Sequence, residues 1–185
     1  MHGHDQSVKS FTDGLMWKVS YKYSLLCGLF LLLTFWVSNR FGSNPLVDFR
    51  HLFFDLALFG LFIFFAAKEF KSYRNNGILH FWQGMTIGFF TYIPAAIIFM
   101  LGVSMLFFIE PQLFEDFKLE AVAFMENHRS SFVEEFGEDG FNQRLQDITQ
   151  TTQVEVVAGS LIKKLFAGFF VSPVVTVILR KKPIE

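Results

Sequence analysis

A chain of 185 residues and 21.4 kDa is sized for one domain. Hydrophobic residues make up 52% of it, charged residues 18%, and 27 positions are Phe, which excludes a disordered, collagenous or disulfide-scaffold protein. A net charge of −1 gives no general affinity for nucleic acid, and the single cysteine, Cys27, excludes an intrachain disulfide and a multi-cysteine metal site.

The apolar residues come in four blocks. The first, Tyr23–Ser38, holds no charge. It follows a basic lead with Lys9, Lys18 and Lys22. Asn39-Arg40-Phe41 makes a poor small-residue cleavage site, so the expectation is a retained span rather than a leader. The second block, Leu52–Ala67, is interrupted only by Asp55. The third, Phe81–Ile109, runs 29 residues uncharged, and the fourth is Leu165–Leu179. A helix needs about 20 mostly apolar residues to cross the hydrocarbon core. The third block clears that alone, and the others reach it with interfacial neighbours. A soluble helix would show a polar residue every third or fourth position, and Leu25–Leu33 and Ala95–Leu101 show none. The expectation is an all-α integral membrane protein with spans near 22–39, 51–68, 81–109 and 158–179 and an N-terminal tail over 1–20.

Four spans put three basic groups on one side: Lys9, Lys18 and Lys22; Lys68, Lys71 and Arg74; Arg180, Lys181 and Lys182. Lys and Arg concentrate on the cytoplasmic side, so both termini are expected there, in a bacterial inner membrane. Lys163 and Lys164 then fall near the far end of span four and read as an anchor snorkelling to headgroups.

The segment Glu110–Glu155 carries eleven acids and three bases, a net −8. Phe114, Phe117, Ala121, Phe124, His128, Phe132 and Phe136 recur at helical spacing, and Gly137-Glu138-Asp139-Gly140 is expected to break the helix. An amphipathic, acidic helical segment over about 111–153 is predicted between spans three and four. Its Phe stripe either packs on the bundle or offers Phe117, Phe124 and Phe132 to a membrane or periplasmic protein partner. Its carboxylates lack the spacing of a calcium loop.

Asp55 is the acid inside a span, and His51 stands four residues earlier on the same helical face. Such a pair can carry protons or hold a metal, or it can simply sit at a wet interface. Lys68, Glu69, Lys71, Tyr73, Arg74 and His80 form a polar belt at the opposite end, read as headgroup anchors or as partner contacts. Gly84 and Gly88 make a GxxxG pair, either a packing site within the bundle or a homo-oligomer seam. Pro94 and Pro173 are expected to kink spans three and four, and Cys27 has no basic neighbour to activate it. His2, His4 and Asp5 are too few for a metal site. Phosphate-loop, zinc-protease and catalytic-triad patterns are absent, so neither cofactor nor enzymatic activity is expected.

Several pieces recur in a fixed order: Lys22-Tyr23-Ser24-Leu25, Lys71-Ser72-Tyr73-Arg74, Gly77-Ile78-Leu79-His80-Phe81 followed by Gly84 and Gly88, Pro111-Gln112-Leu113-Phe114, and Val177-Ile178-Leu179-Arg180-Lys181-Lys182-Pro183. In these the chain resembles the uncharacterised four-span Bacteroidota membrane family labelled domain of unknown function 4199. The resemblance implies a bacterial inner membrane protein and transfers no activity or catalytic residue. Two functions stay open: a non-enzymatic accessory or interaction subunit using the Phe-striped segment, and a small solute or ion transporter or channel with Asp55 and His51 in its pathway.

Overall fold

The computed structural model describes residues 2–42, 44–48 and 50–180, and gives only the backbone for 2–13. The expected weak cluster of His2, His4 and Asp5 therefore lies outside the described side chains. The described residues form six helices: α1 (His2–Arg40), α2 (Arg50–Glu69, continued by one π-helical turn, Phe70–Arg74), α3 (Phe81–Ile109), α4 (Gln112–Asn127), α5 (Arg129–Gln150) and α6 (Gln153–Leu179). Among the described residues, four stretches are long and apolar enough to cross a membrane: Gly14–Arg40, Arg50–Arg74, Phe81–Ile109 and Gln153–Leu179. At about 1.5 Å per residue, the 29 residues of α3 reach about 43 Å, beyond the roughly 30 Å hydrocarbon core.

The spans pack in the ring order α1, α3, α6, α2, with α2 also touching α3 across the diagonal. Phe59, Ile63, Phe70, Ile87, Phe99, Val103 and Phe107 are buried at its centre. Leu29, Leu33, Phe53, Leu101, Phe166 and Phe170 point outward, where a lipid solvent would meet them. Hydroxyls inside the spans mostly donate back to their own helix. Thr91 reaches the Ile87 carbonyl, Ser172 that of Gly168 and Thr176 that of Ser172, all at 2.7 Å, so these groups cost little in a dry core.

The GxxxG pair joins α3 to α6. A Cβ on Gly84 would lie 2.5 Å from Thr176 Cγ2, and one on Gly88 2.6 Å from Ser172 Oγ. Both glycines are buried within the chain, where they let α3 approach α6 closely. Helices α3 and α6 run unbroken through Pro94 and Pro173.

Three expectations need correction. Residues 14–20 are not tail. Met16, Val19 and Ser20 are buried at helical spacing, and Trp17 meets the Phe90 ring edge-on at 5.0 Å, so packing extends the first span toward the N-terminus. The fourth span starts earlier, because Thr152 and Glu155 close a reciprocal capping box at the N-terminus of α6. Finally, the amphipathic segment breaks at His128 as well as at the expected 137–140. The His128 N–H donates to the Phe124 and Met125 carbonyls and its ring nitrogen Nδ1 lies 2.8 Å from the Phe124 oxygen, ending α4. Gly137, at φ +75° and ψ 168°, leaves helical geometry, so α5 is two helices joined across the expected break.

Candidate functional site

The Phe stripe is shared between two places. Phe114 is buried against Phe107, and Phe117 packs on the bundle core. Phe124 and Phe132 instead line a groove between α4 and α5, with Ala121, Met125 and Ile148. Ala121, Met125 and Phe141 are buried apart from the main core, so α4 and α5 hold a small core of their own. The two helices sit over one end of the bundle.

Beneath α4 lies a cavity of about 250 Å³. Its walls are Leu31 and Phe35 of α1, Phe54 of α2, Phe99 of α3 and Phe117 of α4. Its polar lining is His51, Asp55, Thr34, Thr151, Glu155, Ser160, Lys163 and Lys164. Asp55 follows Arg50 by five residues, about 7–8 Å along α2. Lys164 Nζ donates to Asp55 Oδ2 at 2.6 Å, and the two side chains are only 9% and 17% exposed. The same ammonium lies 3.9 Å from the centroid of the Phe99 ring.

The expected His51–Asp55 neighbourhood holds, since both side chains line this cavity, but the ion-pair partner of Asp55 is Lys164. The joint reading of Lys163 and Lys164 as headgroup anchors is wrong for Lys164. Successive helical residues diverge by about 100°, so the two side chains leave α6 in different directions although both reach the cavity. Lys163 stays exposed at the rim, while Lys164 turns inward against α2. A signal was present in the sequence. Asp55 lies near the start of the second block and Lys164 just before the fourth, and four alternating spans bring both starts to one end of the bundle.

At the opposite end Glu69 draws α1 and α2 together. Lys22 Nζ donates to Glu69 Oε2 at 2.6 Å and the Tyr23 hydroxyl donates to the same oxygen at 2.7 Å. Lys71 Nζ donates to the carbonyl of Leu179 at 2.8 Å, a cation at the C-terminus of α6. Asn75 donates to Gln83 Oε1 at 3.1 Å, and the same oxygen accepts from the His80 N–H at 3.0 Å. Of the predicted belt, Tyr73, Arg74 and His80 point outward, and His80 starts α3. Sequence reading had placed Glu69 in that belt without finding its partners on α1.

No group of three or more His, Cys, Asp or Glu among the described residues is placed to hold a metal ion. Residues 22–181 match the family described as Protein of unknown function (DUF4199). The chain belongs to that family. No curated protein and no solved structure matches it. Membership of DUF4199 fits a four-span membrane protein and carries no residue roles, so chemistry must come from the cavity itself.

Proposed function

We propose that this DUF4199 protein is a non-enzymatic bacterial inner-membrane protein that takes up a small polar solute through the cavity under α4. Asp55, Lys164 and His51 line its pathway. The observation that carries this reading is the buried Asp55–Lys164 pair facing that cavity. Removing two charges from water costs more than their attraction returns in many proteins, and apolar residues of similar size usually pack as well or better. Such a pair is poorly explained by stability. Ionisable residues inside spans are costly and mark solute, ion or proton routes. Lys18, Lys22, Lys68, Lys71, Arg74 and Arg180 cluster at the end away from α4 and α5, which supports cytoplasmic termini and a cavity that opens to the periplasm.

The test is uptake into proteoliposomes from a panel of labelled organic acids, amines, amino acids, sugars and inorganic ions. Uptake of one class, reduced at least about tenfold by Asp55→Asn or Lys164→Met at equal reconstitution, supports the reading. Absence of both uptake and binding across the panel overturns it.

A second reading, an accessory subunit that docks a protein partner on α4 and α5, is favoured by one feature. Leu119 is 68% exposed, and Phe124 and Phe136 are also open to solvent. Crosslinking in native membranes followed by mass spectrometry discriminates, because a stoichiometric partner lost in Phe124→Ser/Phe132→Ser would place this reading first. Phe117 is unsuitable for that test, since it packs on the bundle core.

A further inference from the structure

We infer that the cavity under α4 is a site for a small organic anion, a carboxylate on an apolar body, with Lys163 and Lys164 as its cationic end. This rests on the solute-uptake reading above and names the class of solute. Four formal charges line the cavity: Lys163, Lys164, Asp55 and Glu155. Both acids are engaged. Glu155 Oε2 accepts from the Thr152 N–H at 2.7 Å, from the Thr152 hydroxyl at 2.9 Å and from the Thr151 hydroxyl at 3.4 Å, which fixes it to the start of α6. Asp55 is held by Lys164.

Lys163 has no carboxylate within ion-pairing distance among the described residues. The cavity therefore presents two neighbouring ammoniums, of which one is matched. An ammonium has three donors, and Lys164 gives one to Asp55. An arriving carboxylate can bond to both lysines without breaking the buried pair. A cationic solute would meet Lys163 first, and each acid already accepts hydrogen bonds at one oxygen.

The rest of the lining suits the body of such a solute. Leu31, Phe35, Phe99 and Phe117 form an apolar wall beside the lysines. A volume of about 250 Å³ holds roughly eight water-sized groups, at about 30 Å³ each. That matches the heavy atoms of a short-chain carboxylate. An anionic lipid headgroup presents the same chemistry, an anion on an apolar body, and could enter from the membrane edge.

The experiment uses the full chain in phosphatidylcholine nanodiscs, with hexanoate, hexylammonium and hexanamide as probes, and a second nanodisc series containing phosphatidylglycerol. Thermal unfolding and direct titration are read on wild type and Lys163→Gln. Lys163 is exposed, so this variant keeps its core. The expected result is saturable stabilisation by hexanoate, little by the other two, and affinity about tenfold weaker in Lys163→Gln, the worth of one charged hydrogen bond. Stabilisation by phosphatidylglycerol that Lys163→Gln removes also supports the anion site and makes lipid its source. A preference for hexylammonium or hexanamide, or hexanoate affinity unchanged within twofold in Lys163→Gln, overturns the anion assignment while leaving a solute cavity in place. If none of the three probes nor the lipid has any effect, the anion assignment falls, and the uptake reading is decided separately by the solute panel.

Discussion

Replacing Lys164 by Met leaves the carboxylate of Asp55 facing a cavity with its ion-pair partner gone. Breaking a buried ion pair by removing one partner costs about 3–5 kcal/mol, most of it the uncompensated charge. Asp55 is 17% exposed, so water in the cavity relieves part of that cost, and the lower end, about 3 kcal/mol, is expected. Asp55→Asn should cost a comparable amount, because it leaves the Lys164 ammonium, only 9% exposed, without a counter-charge, although the amide oxygen still accepts from it. The double variant Asp55→Leu/Lys164→Met removes both charges, and its methyl and thioether groups fill much of the same space. It should unfold within about 1 kcal/mol of wild type or be more stable. The assay is reversible unfolding of the purified protein in mixed micelles, read as a double-mutant cycle with Asp55→Leu as the second single variant. A coupling of at least about 2 kcal/mol is expected. Additive losses, with coupling under about 0.5 kcal/mol, would refute the claim that these two charges depend on each other. The stable double variant should still lose solute uptake, which separates function from folding.

Gly84→Ala should destabilise the α3–α6 contact by about 1–3 kcal/mol, because its Cβ would lie 2.5 Å from Thr176 Cγ2. Adding Thr176→Ala removes that methyl and should recover part of the loss in the same unfolding assay. Glu120, on α4, has its carboxyl held above the ordinary carboxylate range. Burial is the main cause and the Asp116 charge adds to it, against the opposing Asn44 N–H. The fold thus favours the protonated form, so Glu120 contributes stability that is full below its unfolded value of about 4.3 and is lost as pH rises through its folded one. Glu120→Gln should flatten that part of a melting-temperature profile between pH 4 and 7, and an unchanged profile would count against it. For topology, a Cys placed at Glu138 in a Cys27→Ala background should react with an impermeant thiol reagent in intact cells, while one at Asn76 should stay protected. The reverse pattern would invert the orientation.

Much of the architecture was legible because a bilayer demands length and apolarity, and those are properties of a sequence window. The third span was read to the residue, since its charge-free run and its helix coincide at Phe81–Ile109. The other ends were misread where local chemistry or packing overrides hydropathy. Met16 and Val19 continue a buried face past Lys18 and Lys22, and the Thr152–Glu155 box starts α6 within polar sequence. The stop at His128 was not legible, because the apolar period of the Phe stripe runs across it without change. At the candidate site, the position of Asp55 singled it out, but its partner was hidden by an assumption about rank. Lys163 and Lys164 are identical in composition and adjacent in sequence. Only the rotation between them decides which one meets α2.

The two ends of the bundle differ in a way that bears on mechanism. At the α4–α5 end, polar side chains line open space. At the other, they are tied across helices: Lys22 and Tyr23 on Glu69, and Lys71 on the last carbonyl of α6. Movement of a solute through the bundle would require the second set to part. The bonds there suit that role. The Lys22–Glu69 pair is partly exposed, so water can replace its partners at small cost, unlike the buried pair of Asp55 and Lys164. The π-helical turn Phe70–Arg74 sits directly beside these contacts, and such turns are departures from regular helix that occur frequently at functional sites. Under the uptake reading, the expensive pair holds the solute site in shape while the cheap contacts at the far end yield. Glu69→Gln should therefore raise the uptake rate and leave solute affinity unchanged, whereas changes at Lys164 should act on affinity first.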